Sequence, residues 1–191
     1  MTRAGLLALL LPALAFGGPG ADPRVRIETE LGPIVVEVSV SRAPVTAANF
    51  LRYVDAGLYD GTTFFRTVTL ANQPDDSVRI EVIQGGEVEE ARSFPAIAHE
   101  TTEATGLRHI DGAVSMARAA PGSATSSFFI CVNDQPELDF GGRRNPDRQG
   151  FAAFGRVLEG MDVVRRIQER PASGQRLTPP VRILSVRRLG T

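Results

Sequence analysis

Two short segments of the sequence combine residue types that could act on a substrate. Residues 64–66 read Phe-Phe-Arg, and after a loop residues 83–86 read Ile-Gln-Gly-Gly. Arg66 follows two aromatic residues on an apolar run, where an arginine that merely faces solvent is not usually found. A guanidinium is always charged and presents several N–H donors on a rigid plane, so it suits the stabilisation of charge that develops during a reaction. The competing interpretation of Arg66 is an exposed arginine at the end of a strand.

Three later segments add small and apolar residues to this picture. Residues 113–132 form two such runs around a Pro-Gly-Ser turn, and the second run begins with a Phe-Phe pair. Residues 137–140 read Glu-Leu-Asp-Phe, and residues 151–164 read Phe-Ala-Ala-Phe-Gly-Arg-Val-Leu-Glu-Gly-Met-Asp-Val-Val. Each segment is weak evidence of function by itself. Their order along the chain is more specific than any one of them.

The composition excludes several kinds of chemistry. All 21 basic residues are arginine, so Schiff-base catalysis and a lysine-dependent phosphate loop are excluded. Cys131 is the single cysteine, which excludes an intrachain disulfide and a zinc-finger cluster. Its place in an apolar run predicts an inert core residue. A formal net charge of −1 gives no overall field that would attract nucleic acid.

Metal-binding residue types occur close together in only one part of the sequence. The spacing of these residues matches no standard zinc pattern, and a third convincing ligand is missing. We therefore expect no metal site, and we interpret the two histidines as loop anchors with backbone partners. The residues concerned are His99, Glu100, Glu103 and His109.

The amino-terminal residues read as a targeting segment ahead of one domain. Residues 1–17 contain one arginine, an apolar run and the small-residue pattern Ala-Leu-Ala, which together are typical of a secretory signal peptide. The run is shorter than the ~20 apolar residues that a membrane-spanning helix needs. We predict a signal peptide and linker over residues 1–21 and one globular domain over residues 22–191, periplasmic or secreted and not attached to the membrane. A buried first helix is the alternative.

Hydrophobic periodicity divides the domain into short strands and two helices. A period of two over residues 24–40 predicts two strands around a Gly-Pro turn. A period near 3.6 predicts helices at residues 44–56 and 160–169. Many short strands with only two helices indicate a closed barrel or a sandwich with helical caps. The further β-type runs are residues 62–70, 78–84, 113–117, 127–132, 152–158 and 181–188.

Taken in order, these segments resemble the cyclophilin-type peptidyl-prolyl isomerases over roughly residues 24–188. Residues 64–66 are similar to the family's Phe-His-Arg, and residues 84–86 match its Gln-Gly-Gly. Residues 126–130 resemble its Ser-Gln-Phe-Phe-Ile, and residues 154–164 match its Phe-Gly-x-Val-x-x-Gly-Met-Asp-Val-Val. The resemblance implies a mainly β fold, namely an eight-stranded antiparallel closed barrel capped by two α-helices.

The resemblance also implies an activity and a site. The expected activity is cis–trans isomerisation of X-Pro bonds in client polypeptides, by a monomer that needs no cofactor and no metal and binds no nucleic acid. Arg66 would be the catalytic donor, oriented by Gln84, and Phe129 would form the floor of the proline pocket. The other substrate-binding residues implied are Phe64, Phe65, Val82, Ala117, Arg118, Leu138 and Phe151.

Some positions depart from the family pattern. Ser127 stands where glutamine is usual, Arg118 stands where asparagine is usual, and Glu81 falls where the family carries an aromatic pocket residue. Residues 71–77 and 140–150 are expanded. These departures favour an alternative function, a cyclophilin-fold peptide-binding module or holdase chaperone with little turnover. An unrelated sugar- or metal-binding β-barrel is a third hypothesis.

Overall fold

A computed structural model of the protein describes residues 22–73 and 77–190. The predicted signal and linker, residues 1–21, lie outside the described residues, as does part of the expanded segment 71–77. Within the part of the chain that is described, no helix has the length and hydropathy needed to cross a membrane.

Eight antiparallel strands close into a barrel, as predicted. Their order is β1-β2-β7-β5-β6-β4-β3-β9, and the pairing of β1 with β9 closes the ring. A two-residue strand, β8, pairs only with β9. The strands are β1 Arg24–Thr29, β2 Gly32–Val38, β3 Thr63–Val68, β4 Val82–Gly85, β5 Ala113–Met116, β6 Phe128–Cys131, β7 Ala152–Glu159, β8 Ala172–Ser173 and β9 Arg176–Arg188.

Two α-helices cap the barrel, as predicted, and the structure adds a third helix of a single turn. The helices α1 (Pro44–Asp55) and α3 (Met161–Gln168) match the predicted segments within one residue at each end. The additional helix, α2 (Thr102–Thr105), is a single turn that Thr101 caps at its N-terminus. It ends at Gly106, which has the left-handed backbone that glycine adopts readily. One turn is too short to show a helical period in the sequence, which explains why it was missed.

Alternation along the strands separates an inner face from an outer face. In β6, Phe128 and Ile130 belong to the inner cluster, which packs the inward strand faces against α1 and α3. Their neighbours Phe129 and Cys131 belong to a separate outer cluster. The outer cluster comprises Val68, Ile80, Val82, Ala113, Phe129, Cys131 and Leu138.

Cys131 is the buried core residue that the sequence predicts. Its side chain is free and fully buried. Burial raises the pKa of the thiol well above its ordinary value, and the nearby carboxylates, Asp139 foremost, act in the same direction. The thiolate, which is the reactive form of cysteine, is therefore disfavoured.

Candidate active site

The candidate catalytic residues Arg66 and Gln84 lie beside Phe129 on the outer faces of three adjacent strands. Arg66 on β3 is in register with Gln84 on β4, and Gln84 is in register with Phe129 on β6. Cross-strand neighbours on one face of a sheet lie close enough for their side chains to interact. The sheet thus places a guanidinium, an amide and an aromatic ring side by side.

A β-bulge in β3 decides which residues reach this face. Phe64 is in register with Gly85, and Arg66 is in register with the preceding residue, Gln84, so Phe65 is an extra residue in the ladder. Without the bulge, residues 64 and 66 would share a face of the strand. The extra residue turns Arg66 outward while Phe64 stays inward.

Phe64 therefore does not line the pocket, contrary to the prediction, whereas the role of Phe65 as a wall of the groove stays a prediction. Phe64 is fully buried in the inner cluster, with its ring edge-on to Phe128 at a centroid distance of 5.8 Å. Phe65 is partly exposed at the bulge and does not line the cavity. Gly85 of β4 leaves room for the Phe64 ring, because a Cβ at this position would lie 2.7 Å from Phe64 Cδ1.

Hydrogen bonds fix the Arg66 guanidinium from two sides. Its Nη1 donates to Gln84 Oε1 at 2.9 Å, and its Nε and Nη2 donate to Gln175 Oε1 at 2.9 and 2.6 Å. Gln84 Nε2 in turn donates to Ser127 Oγ at 3.1 Å, and Ser127 Oγ donates to Gly85 O at 3.2 Å. The serine at position 127 therefore supports the orientation of the Gln84 amide. No sequence signal pointed to Gln175, which comes from the distant β8–β9 turn.

Beside this network lies a cavity of about 240 Å³. It brings together all of the predicted site residues except Phe64 and Phe65. Three lining residues had not been predicted: Ile80, Arg144 and Asn145. Ile80 could have been found by extending the alternation of β4 backwards by two residues, and the two others belong to the expanded loop 140–150. The lining residues are Arg66, Ile80, Val82, Gln84, Ala117, Arg118, Phe129, Leu138, Arg144, Asn145 and Phe151.

The floor of the cavity is Phe129, held between two rings. The side chain is only 5% exposed. Phe151 contacts it edge-on at a centroid distance of 5.3 Å, and His109 is stacked on it at 5.9 Å with an interplanar angle of 15°. An apolar floor with a fixed guanidinium at one side can bind a small apolar ring and direct N–H donors at its substituents.

Comparison with known proteins assigns the family. The model of the cyclophilin type peptidyl-prolyl cis-trans isomerase/CLD family matches residues 24–188. The chain belongs to this family.

The same assignment follows from individual relatives. The peptidyl-prolyl cis-trans isomerase cyp18 of Streptomyces antibioticus is 38% identical over 149 residues, which cover 75% of this chain and 82% of that protein. A peptidyl-prolyl cis-trans isomerase of Acinetobacter baylyi is 36% identical over 174 residues, 87% and 85% of the two chains. A cyclophilin type isomerase of Cryptosporidium parvum, solved in the presence of the dipeptide Ala-Pro, shares the fold with a TM-score of 0.66 at 22% identity, over 88% of this chain and 99% of that one. The protein is a peptidyl-prolyl cis-trans isomerase.

In this cyclophilin, a buried histidine network supports the pocket from behind. His109 Nδ1 lies 2.8 Å from Asp139 Oδ1, and His109 Nε2 lies 3.0 Å from Ser115 Oγ. The prediction that His109 anchors a loop through backbone partners is therefore wrong, because both ring nitrogens face side chains. His99, in contrast, does have a backbone partner, the carbonyl of Gln149 at 3.1 Å. Asp139 directly follows the pocket residue Leu138, so the network links the wall of the pocket to its floor.

Asp139 stays ionised in this buried position. Burial by itself would raise the pKa of its carboxyl group, but hydrogen bonds from the ring and backbone N–H of His109, together with Arg108, outweigh burial and hold the pKa below its ordinary value. Because the carboxylate can only accept, His109 Nδ1 carries the proton that it donates to Asp139 Oδ1, and His109 Nε2 lies within hydrogen-bond distance of Ser115 Oγ. The result is a fully partnered polar layer beneath Phe129.

Arg118, the unexpected groove residue, holds the expanded loop 140–150. Its side chain is 1% exposed and forms a bidentate ion pair with Asp147, at 2.8 and 2.9 Å. Its Nε and Nη2 also donate to Gly150 O, and its guanidinium lies 5.2 Å from the centre of the Phe151 ring. The hydrogen bonds from Arg118 lower the pKa of Asp147 to about 2. We call the contacts of Arg118 with Asp147 and Gly150 the Arg118 clamp.

Glu81 and Ala117 are the remaining groove positions that the sequence analysis named. Glu81 does not line the cavity; its carboxylate accepts a hydrogen bond from Asn133 Nδ2 at 2.9 Å, and Ile80 and Val82 line the cavity on either side of it. Ala117 is one of the residues that the resemblance assigns to substrate binding, and it lines the cavity. The Ala117 N–H itself donates to Ser127 O at 2.9 Å, so that donor is committed to the sheet.

Proposed function

We propose that the protein isomerises X-Pro bonds of exported polypeptides as a monomer, with Arg66 as the donor to the prolyl nitrogen. Rotation about the X-Pro bond crosses a barrier of about 20 kcal/mol, which comes from amide resonance. In the twisted amide that resonance is lost, and the prolyl nitrogen gains a localised lone pair. A donor aimed at this nitrogen stabilises the transition state more than either planar form. The observation that carries the proposal is the guanidinium fixed by Gln84 and Gln175 beside an apolar pocket.

The pocket divides the task between apolar and polar residues. Phe129, Leu138 and Val82 provide apolar surface for the proline ring, which positions the X-Pro bond beside Arg66. A hydrogen bond with one charged partner contributes about 1.5–3 kcal/mol net. Arg66 alone therefore supplies part of the acceleration, and binding of the proline and its flanking residues supplies the rest.

The test is a proline-peptide isomerase assay on matched variants. Wild type should accelerate isomerisation, and Arg66→Ala should lower kcat/KM by about a hundredfold to a thousandfold, the usual cost of removing one preorganised donor. Arg182→Ala, which removes an exposed arginine of β9, should match wild type. If wild type accelerates no X-Pro peptide yet still binds proline peptides, the holdase function replaces this proposal.

Export of the protein rests on the sequence of residues 1–17. Their single arginine, apolar run and Ala-Leu-Ala pattern support a cleaved signal and a periplasmic or secreted enzyme. Residues 1–21 fused to a reporter that is active only outside the cytoplasm should export the reporter in an active form. Mass spectrometry of the mature protein should show that residues 1–21 have been removed. A cytoplasmic protein that retains residues 1–21 would contradict export without affecting the isomerase function.

A further inference from the structure

His109 contacts the floor of the pocket from a position outside the cavity. The residue is 1% exposed and does not line the cavity. Its ring is stacked on Phe129 with an interplanar angle of 15°, whereas Phe151, which lines the cavity, meets Phe129 edge-on at 88°. A bound peptide can therefore contact Phe151 directly. His109 can act on the peptide only through the ring of Phe129.

Hydrogen bonds at both ring nitrogens fix the orientation of the His109 imidazole. Asp139 Oδ1 lies 2.8 Å from Nδ1, and Ser115 Oγ lies 3.0 Å from Nε2. The backbone is held as well, because the His109 N–H donates to Asp139 Oδ1 at 3.0 Å and the His109 carbonyl accepts from the Gln135 N–H at 2.6 Å. A buried polar group that loses its partner is costly, so other orientations of the ring are disfavoured.

The register of the sheet connects this fixed ring to the pocket floor. Ser115 on β5 is in register with Phe129 on β6, and cross-strand neighbours on one face of a sheet lie close together. His109 is bonded to the first of these residues and stacked on the second. Aromatic rings in contact constrain one another to a few relative geometries. The plane of the Phe129 ring therefore depends on the plane of His109.

The floor of the pocket is expected to act on affinity rather than on rate. Rotation about the X-Pro bond leaves the pyrrolidine ring of proline intact, so a surface that contacts this ring stabilises the cis, trans and twisted forms alike. Such uniform binding lowers Kd and leaves the rate on the enzyme unchanged. A residue that acts through Phe129 should have the same signature.

We propose that His109 is a positioning residue that holds the Phe129 ring in the plane that receives proline, and thereby sets the affinity of the pocket for proline peptides. The inference rests on the proline pocket of the proposed function. It divides the work between two polar residues that lie on different sides of Phe129 in the sheet. Arg66 acts on the rate of bond rotation, and His109 acts on the binding of the ring.

Exchange NMR with one proline peptide tests the proposal, because it measures both Kd and the rate on the enzyme. His109→Asn removes the ring and keeps an amide that can donate to Asp139, and His109→Gln keeps an amide that can reach Ser115. In each variant, Kd should rise by about threefold to tenfold, the effect expected for loss of an aromatic pair. The rate on the enzyme should stay within about twofold of wild type. The second amide variant preserves the test if the first does not fold.

A double-mutant cycle separates positioning from general structural support. Phe129→Leu keeps an apolar floor but leaves His109 no ring to stack on. In that background, His109→Asn should change Kd by less than about twofold, since the stacking is already lost. Val164→Ala is the matched control. It removes buried volume from the inner cluster and lowers stability, and it should keep the wild-type Kd.

The outcomes distinguish this inference from the isomerase function. A Kd within about twofold of wild type in both amide variants would overturn it. An equal rise in Kd when His109→Asn is made in the Phe129→Leu background would also overturn it, because His109 would then act independently of the floor. In both cases, turnover by wild type would show that the isomerase function stands. A wild type that binds the peptide without isomerising it would contradict the proposed function and leave the comparison of Kd values valid.

Discussion

Phe128 and Phe129 are adjacent in β6, but they lie on two faces of the barrel that are built differently. Phe128 is fully buried in the inner cluster, where its ring meets Phe50, Tyr59 and Phe64 edge-on at centroid distances of 5.5 to 5.8 Å. Phe129 meets one ring edge-on, stacks on His109 and keeps 5% of its surface exposed in the cavity. The inner face is apolar and closed, whereas the outer face combines a small apolar cluster with fixed polar groups.

The difference shows how one barrel separates stability from activity. The inner cluster fills the barrel and packs against two helices, so it accounts for most of the apolar burial. The outer cluster is smaller, and the polar networks of Arg66 and His109 surround it. Substitutions on the inner face should therefore lower mainly the free energy of unfolding, and substitutions on the outer face should lower mainly turnover.

Phe128→Ala should have the largest effect on stability. Removal of a fully buried phenyl ring costs about 3–5 kcal/mol, because the remaining rings cannot fill the cavity that it leaves. Urea denaturation followed by far-UV circular dichroism measures the change. A loss below about 1 kcal/mol would mean that the inner face is not close-packed as described.

Phe129→Ala should lower turnover more than it lowers stability. A buried apolar side chain contributes about 1.5–3 kcal/mol, so loss of the pocket floor should lower kcat/KM by roughly tenfold to a hundredfold. Its unfolding free energy should fall by less than that of Phe128→Ala, since one side of the ring already faces the cavity. Peptide assays and denaturation of the same two preparations provide the comparison. If the fall in kcat/KM relative to the fall in unfolding free energy were the same in Phe128→Ala and Phe129→Ala, the division between the inner and outer faces would be contradicted.

Asp139→Asn should have an intermediate effect that depends on pH. Its pKa is lowered in the folded protein, so Asp139 contributes stability that is present above about pH 4 and is lost as the pH falls through the folded pKa. At pH 7 the variant should lose about 1–3 kcal/mol, since an amide cannot replace the carboxylate in all of its hydrogen bonds. Below pH 4, wild type should lose stability more steeply than the variant. If the urea midpoints of wild type and Asp139→Asn changed by the same amount between pH 7, 4 and 3, the network of Asp139 with His109 would be contradicted.

Arg118→Gln should have the smallest effect. The variant loses the Arg118 clamp at the edge of the groove, so we expect a fall in kcat/KM of about threefold to tenfold. Because the pKa of Asp147 is about 2, the ion pair stays intact between pH 5 and 8. The ratio of variant to wild-type activity should therefore be constant over that range. A ratio that changes with pH would indicate that the clamp does not act as described.

Local signals in the sequence predicted the strands and the two longer helices, whereas the closed eight-stranded barrel and the arrangement of the site followed from the resemblance of several segments to one family. Period-two alternation marks the strands, and the Phe-Phe-Arg and Gln-Gly-Gly segments mark two neighbouring strands of the site. Phe64 was predicted to line the pocket, but a bulge reverses the alternation between residues 64 and 66 and turns Phe64 inward. No residue type at that point of the sequence indicates a bulge.

Other features depend on contacts between distant parts of the chain. Gln175 reaches Arg66 from the β8–β9 turn, and His109 meets Asp139 and Ser115 only once the barrel has closed. Neither contact leaves a pattern in the local sequence. The departure at Arg118 was visible, but its purpose becomes clear only with Asp147 and Gly150 beside it.

The central claim is that Arg66 stabilises the twisted amide rather than the bound planar peptide. It is tested most directly by measuring, for one proline peptide, both Kd and the isomerisation rate on the enzyme in wild type and Arg66→Ala. An interaction made only in the transition state predicts that the bound-state rate falls by about a hundredfold or more while Kd changes by less than about threefold. An unchanged rate on the enzyme with a proportionally weaker Kd would contradict the account, because Arg66 would then bind substrate and transition state alike.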